Sequence, residues 1–167
     1  MIILGLDPGT VAAGYAVITP EGPGNRTPRL SAAGLLAVRA QDPAQRLKEL
    51  HQSLEKLIRR WKPGAVAIEK LFFAANAKTA MAVAEARGVL LLTAVLGGTI
   101  VYEYTPAEIK KTITGQGNAD KPQVQKMIFL TLPETRRLKA RDDVFDAIAA
   151  ALTCHYKGKG RLAELNQ

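Results

Sequence analysis

Two short apolar runs in this chain each end in an acid. Ile2-Ile3-Leu4-Gly5-Leu6 stops at Asp7, and Ala65-Val66-Ala67-Ile68 stops at Glu69. Runs this short and apolar throughout read as strands buried on both faces. In an α/β sheet the carboxyl ends of such strands form the crevice where sites are built, so neighbouring strands would project Asp7 and Glu69 into one space. Asp143 and Asp146 add to them. They stand three apart, on one helical face, and open the apolar stretch Ala147-Ile148-Ala149-Ala150-Ala151-Leu152. Carboxylates gathered beside an apolar core repel one another and are costly unless a cation neutralises them. Their hard oxygens suit Mg²⁺, with Mn²⁺ as a substitute, better than zinc. Two such ions in one site can activate a water and stabilise the leaving oxygen in phosphodiester cleavage.

Each acid also has a plainer account. Asp7 precedes Pro8-Gly9, where a turn favours aspartate, and Glu69 would serve on a solvated edge. Asp142 and Asp143 fall where the helix dipole favours anions, which suffices for Asp142. Asp146 lies between Phe145 and Ala147, at the end of the first turn or just past it, where capping explains little. Taken together, the four acids Asp7, Glu69, Asp143 and Asp146 favour a site.

The elements that must position them follow from pattern. Tyr15–Ile18 and Leu30–Val38 read as strands that form a meander with the first, around a turn rich in Gly and Pro at 21–28. Asp42-Pro43 starts a helix, in which Leu47, Leu50, Leu54, Leu57, Ile58 and Trp61 share a face. The strand at 65–68 then makes a parallel crossover with the first. A long helix, Asn76–Leu96, is apolar nearly all round in its second half, which predicts burial in the core or against another chain. A fifth strand at Thr99–Glu103 precedes the capping box Thr105-Pro106-Ala107-Glu108, a helix to about Thr112, and the loop Gly115–Asn118. Helices at about 121–132 and 142–155 complete a single domain, residues 1–157, with a basic flexible tail at 158–167.

The chain has 167 residues with 47% apolar content, enough for a real core, and 23 Lys plus Arg against 15 Asp plus Glu, a net charge of +8. Such a balance favours a polyanionic partner. One cysteine, Cys154, excludes an internal disulfide framework. The apolar stretch from Val89 to Tyr102 is broken by Thr93, Gly97, Gly98 and Thr99 and is too short for a bilayer span. The opening MIILGLDPGT carries neither a basic stretch nor a small-residue cleavage site, which predicts a cytoplasmic protein with no membrane association.

Four segments then occur in order from residue 1 to about 157: DPG after the opening strand, AIEKLFFAANAKTA, the lysines Lys110 and Lys121, and DxxDAIAxALTCH. Together they resemble the RuvC family of bacterial Holliday junction resolvases. The resemblance implies a ribonuclease H-like α/β fold, a mixed five-stranded sheet flanked by helices. It implies a homodimer that binds four-way junction DNA and nicks two strands of like polarity during recombination and repair, in association with RuvA and RuvB. The family's catalytic, metal-holding acids fall on Asp7, Glu69, Asp143 and Asp146, with two Mg²⁺ per site. Phe72 matches the aromatic residue that stacks on bases at the junction centre, a contact suited to separated strands; Phe73 is equally well explained as core. The small, polar segment that follows, including Asn76, suits close approach to DNA. Lys110 and Lys121 match basic positions of the family. Lys121 opens a helix, where the dipole disfavours a cation, which hints at a phosphate ligand. Asn118 serves either a phosphate or its turn. Lys70, where a neutral amide is expected, is a departure. A related nuclease acting on RNA and a nuclease-silent junction-binding module remain as alternatives.

Overall fold

In the computed structural model, which describes residues 1–8, 12–22, 27–70 and 77–164, the buried apolar runs become the middle of one five-stranded sheet. Strands β1 (Ile3–Asp7), β2 (Gly14–Pro20) and β3 (Pro28–Leu35) form the antiparallel meander, and β4 (Ala65–Glu69) and β5 (Ile100–Tyr104) extend it in parallel on the other side of β1. The order is β3-β2-β1-β4-β5, the mixed sheet expected from the pattern. Alternation along β1 and β4 divides the core. Leu4, Leu6, Val66 and Ile68 point to one face, where they meet α1 (Pro43–Trp61) and α2 (Ala77–Leu96). Ile3, Ala65 and Ala67 point to the other, against α3 (Pro106–Thr114), α4 (Lys121–Thr131) and α5 (Asp142–Glu164).

Local chemistry sets the helix ends. The Asp42 carboxylate accepts from the Gln45 N–H at 2.8 Å to start α1, and Lys62 closes it in the left-handed region at φ 45°. The capping box Thr105/Glu108 opens α3 as its sequence predicts, and a second, Asp120/Gln123, opens α4. A 3-10 turn at Pro133–Arg137 links α4 to α5.

Helix α5 differs from expectation at its far end: it continues through Glu164 instead of stopping near His155. The expected boundary between a domain ending at 157 and a flexible tail therefore falls inside a helix. Gly158 and Gly160 each weaken a helix by about 1 kcal/mol relative to alanine, but no proline follows them. The turn before them is pinned by Lys157, whose ammonium lies 2.9 Å from Glu108 and 5.4 Å from the centre of the Tyr104 ring.

Helix α5 packs against all five strands, and two glycines let it come close. A Cβ on Gly5 would lie 2.0 Å from the Ala147 carbonyl oxygen, and one on Gly14 would lie 2.0 Å from that of Asp143. Helix α2 buries Leu90 and Ala94 but leaves Met81, Leu92, Val95 and Leu96 largely exposed. Among the described residues no helix is long and apolar enough to cross a membrane.

Candidate active site

The parallel pairing of β1 with β4 aligns Leu6 with Ile68, so Asp7 and Glu69, one step on in each strand, leave the sheet side by side. Backbone bonds fix that edge. The Lys70 N–H donates to the Tyr104 carbonyl at 2.8 Å, and Arg87 of α2 donates to the Glu69 carbonyl at 3.3 Å while pairing with Glu103 at 2.8 Å. The first turns of α5, laid across β1 and β2, bring Asp143 and Asp146 to the same edge.

These acids lie close enough to perturb one another. The pKa of Asp7 is pushed up to about 7, first by burial and then by the negative charges of Asp146, Glu69 and Asp143, with Lys121 opposing. Burial and then Asp146 push Glu69 up to about 7, against Lys110 and Lys121. Burial also raises Asp146, which Lys121 opposes and Asp142 and Asp143 reinforce. A cleft of about 160 Å³ opens beside them, lined among others by Glu69, Lys110, Lys121, Gln125, Asp142 and Asp146.

Lys110 and Lys121 thus both face the acids. The Lys121 ammonium stands 3.4 Å from Asp142 and 3.4 Å from Asp146. Burial works to lower its pKa, but those two carboxylates raise it. Arg141 reaches Asp143 at 3.3 Å. Asn118 is exposed in the turn before α4 and Lys70 is exposed beyond β4, whereas Phe72, Phe73 and Asn76 lie outside the described residues.

Cationic side chains thus sit against two of the expected metal-holding acids, and as the side chains stand no group of three His, Cys, Asp or Glu among the described residues forms a ready metal cage. The donor chemistry nonetheless fits a hard divalent cation. The acids are carboxylates, three of them raised in pKa by burial among like charges, and among the described residues no sulfur or imidazole contributes to that charge cluster. Sequence pattern missed the contacts of Arg87, Arg141 and Asp142. The only advance signal was Asp142 itself, an acid beside another acid.

A mixed sheet of order β3-β2-β1-β4-β5, with acids at the ends of β1 and β4 and on the helix crossing them, is a ribonuclease H-like scaffold. The family model described as "Crossover junction endodeoxyribonuclease RuvC" matches residues 3–155. Proteins of that name from Alkaliphilus metalliredigens and Desulforamulus reducens are 43% identical over 155 residues and 45% identical over 157. Each alignment covers 93% of this chain, with 92% and 93% of the relatives respectively. RuvC of Thermus thermophilus superposes with a TM-score of 0.83 at 31% identity, covering 96% of this chain and 97% of that one. The same protein in complex with Holliday junction substrate gives 0.82 at 32%, covering 96% of each. The yeast mitochondrial resolvase Ydc2, at 11% identity and a TM-score of 0.67, shares the fold. The chain belongs to the RuvC family.

Proposed function

We propose that this chain is a divalent-metal-dependent endonuclease that resolves four-way DNA junctions by nicking two strands of like polarity. The observation that carries the reading is the meeting of Asp7, Glu69 and Asp146, from two strands and a distant helix, where Asp146 raises the pKa of Glu69 and both raise that of Asp7. Asp7, Glu69, Asp143 and Asp146 would hold Mg²⁺ or Mn²⁺, two ions per site. When bound, the cations supply the positive charge that keeps these acids ionised and activate water against a phosphodiester. Swinging Asp146 and Asp143 away from Lys121 and Arg141 frees them for that role. Lys110 and Lys121, on the same cleft, bind the phosphate flanking the scissile bond. Phe72 stacks on an unpaired base at the junction centre, and Phe73, Asn76 and Asn118 contribute to the DNA surface.

Paired incision needs two sites facing opposite strands, hence a two-fold homodimer. The uncovered apolar face of α2, with Leu92, Val95 and Leu96, is its interface. Family membership supports work on junctions in a bacterial cytoplasm alongside RuvA and RuvB. The net charge of +8 supplies a long-range attraction to DNA that salt screens.

The test incubates purified protein with labelled four-way junctions and, in parallel, an RNA·DNA hybrid, with Mg²⁺, Mn²⁺ or chelator. The expected result is metal-dependent, symmetric nicking of the junction alone. Asp7→Asn and Glu69→Gln should abolish it while leaving junction affinity intact or raised. Either variant cutting at the native rate would overturn the assignment of the site.

A further inference from the structure

At the rim of the acidic cleft a lysine is shared between two acids of unequal standing. Lys121 is the first residue of α4 and Asp142 the first of α5. The Lys121 ammonium lies 3.4 Å from Asp142 Oδ2 and 3.4 Å from Asp146 Oδ2. Equal and rather long distances describe an ammonium that straddles two carboxylates and is committed to neither. The acids differ in position. Asp146 is two-thirds buried and its charge bears on Asp7 and Glu69. Asp142 is two-thirds exposed and lines the outer cleft with Lys110 and Lys121.

We propose that Asp142 is a positioning residue for Lys121: it receives the ammonium when Asp146 turns to a divalent cation, and so keeps Lys121 at the cleft mouth. The inference rests on the metal-dependent reading of the site given above. Without a divalent cation, Lys121 is paired with Asp146 at 3.4 Å and partly neutralises it. A cation entering the cluster competes directly with that ammonium. A lysine has a flexible stem and three donors that turn freely, so it moves from one carboxylate to the other without any backbone change. The two helix termini reinforce the exchange. The dipole of α5 favours the negative charge on Asp142, while that of α4 disfavours a cation at its own first residue, so Lys121 needs an acid from outside α4. Asp142 supplies it, and the lysine remains where an incoming phosphate can draw it off.

The experiment measures Mn²⁺ affinity by electron paramagnetic resonance at about 0.15 M salt, where charges beyond a Debye length of roughly 8 Å are screened. Five full-length proteins are compared: the native chain, Asp142→Asn, Asp142→Glu, Lys121→Met and the double variant Asp142→Asn with Lys121→Met. Asparagine keeps the shape of residue 142 and removes its charge. Its loss leaves Lys121 with Asp146 as acceptor, so Mn²⁺ binding should weaken two- to fivefold, about the worth of an exposed ion pair. Lys121→Met should tighten Mn²⁺ binding. In that background Asp142→Asn should have less than half the effect, on a logarithmic scale, that it has in the native chain, because the lysine through which it acts is gone. Asp142→Glu should restore native affinity. The same change in both backgrounds would mean that Asp142 acts only through its field, and no change in the native chain would mean that it does not act on the metal at all; either result overturns the inference and leaves the functional reading standing. A native chain that binds no Mn²⁺ overturns both.

Discussion

Replacing Gly5 with alanine tests whether the helix that carries two of the acids must lie directly on β1. The new Cβ would stand 2.0 Å from the Ala147 carbonyl oxygen, 2.8 Å from the Ala151 Cβ and 2.9 Å from its nitrogen. All three neighbours belong to the helix backbone or to a methyl fixed on it, so no flexible side chain can move aside. Ordinary contact begins near 3.4 Å, and α5 must therefore withdraw by more than about 1 Å, a shift that in a close-packed interior is not absorbed elsewhere. Overpacking of this kind costs about 1–3 kcal/mol or more. A chain of this size loses about 2–4 °C of melting temperature per kcal/mol. The same withdrawal carries Asp146 away from Asp7, and a displacement of about 1 Å at reacting groups can reduce a rate roughly 100-fold. Thermal melting followed by circular dichroism, and junction nicking at a temperature where the variant is still folded, measure the two effects separately. Gly22→Ala, where an added Cβ meets nothing within 4 Å, is the control and should behave as the native protein. If Gly5→Ala melts and nicks like the native chain, α5 does not rest on β1 in the way described.

Three further outcomes follow from the same structure. Asp7 and Glu69 have folded-state pKa values raised to about 7 from ordinary values near 4. The folded chain therefore holds more protons than the unfolded one across that interval, and metal-free stability should fall as pH rises from about 4 through 7; melting in chelator between pH 5 and 8 checks the sign, and a rising curve would contradict it. Leu92→Glu with Leu96→Glu, placed on the uncovered face of α2, should leave the fold intact and yield monomers in analytical ultracentrifugation, whereas an unchanged dimer would move the interface elsewhere. Arg87→Met removes a half-buried partner of Glu103 and the donor to the Glu69 carbonyl, and urea denaturation should show a loss of about 1–3 kcal/mol; undiminished stability would show that this pairing holds nothing in place.

Much of the scaffold was legible because it is written in local pattern. The acid-terminated runs at 3–7 and 65–69 became adjacent parallel strands, and their register set Asp7 beside Glu69. The Thr105/Glu108 box formed where its spacing placed it. What could not be read were pairings between elements remote in sequence. Nothing in the periodicity of α2 indicates that Arg87 reaches the end of β4, and nothing near Lys121 indicates that two acids of α5 would share its ammonium. Asp142 stood out only as an acid beside another acid, which the helix dipole sufficiently explains, so its contact with Lys121 could not be read from that signal. The far end of α5 was missed for the opposite reason. Two glycines among lysines resemble a loop, while the contacts that hold that turn, Glu108 and the Tyr104 ring, come from α3 and β5.

Because α5 touches every strand, and Val144, Phe145, Ala147 and Ile148 are already buried within its first two turns, the hydrogen-bonded amides of its buried stretch should be among the slowest to exchange. Segments so held exchange with solvent only when the whole domain opens. Asp143 and Asp146 therefore ride on one of the last parts of the molecule to loosen, and warming should not disable cutting by fraying the site ahead of the fold. Loss of nicking and loss of structure should coincide in a single transition.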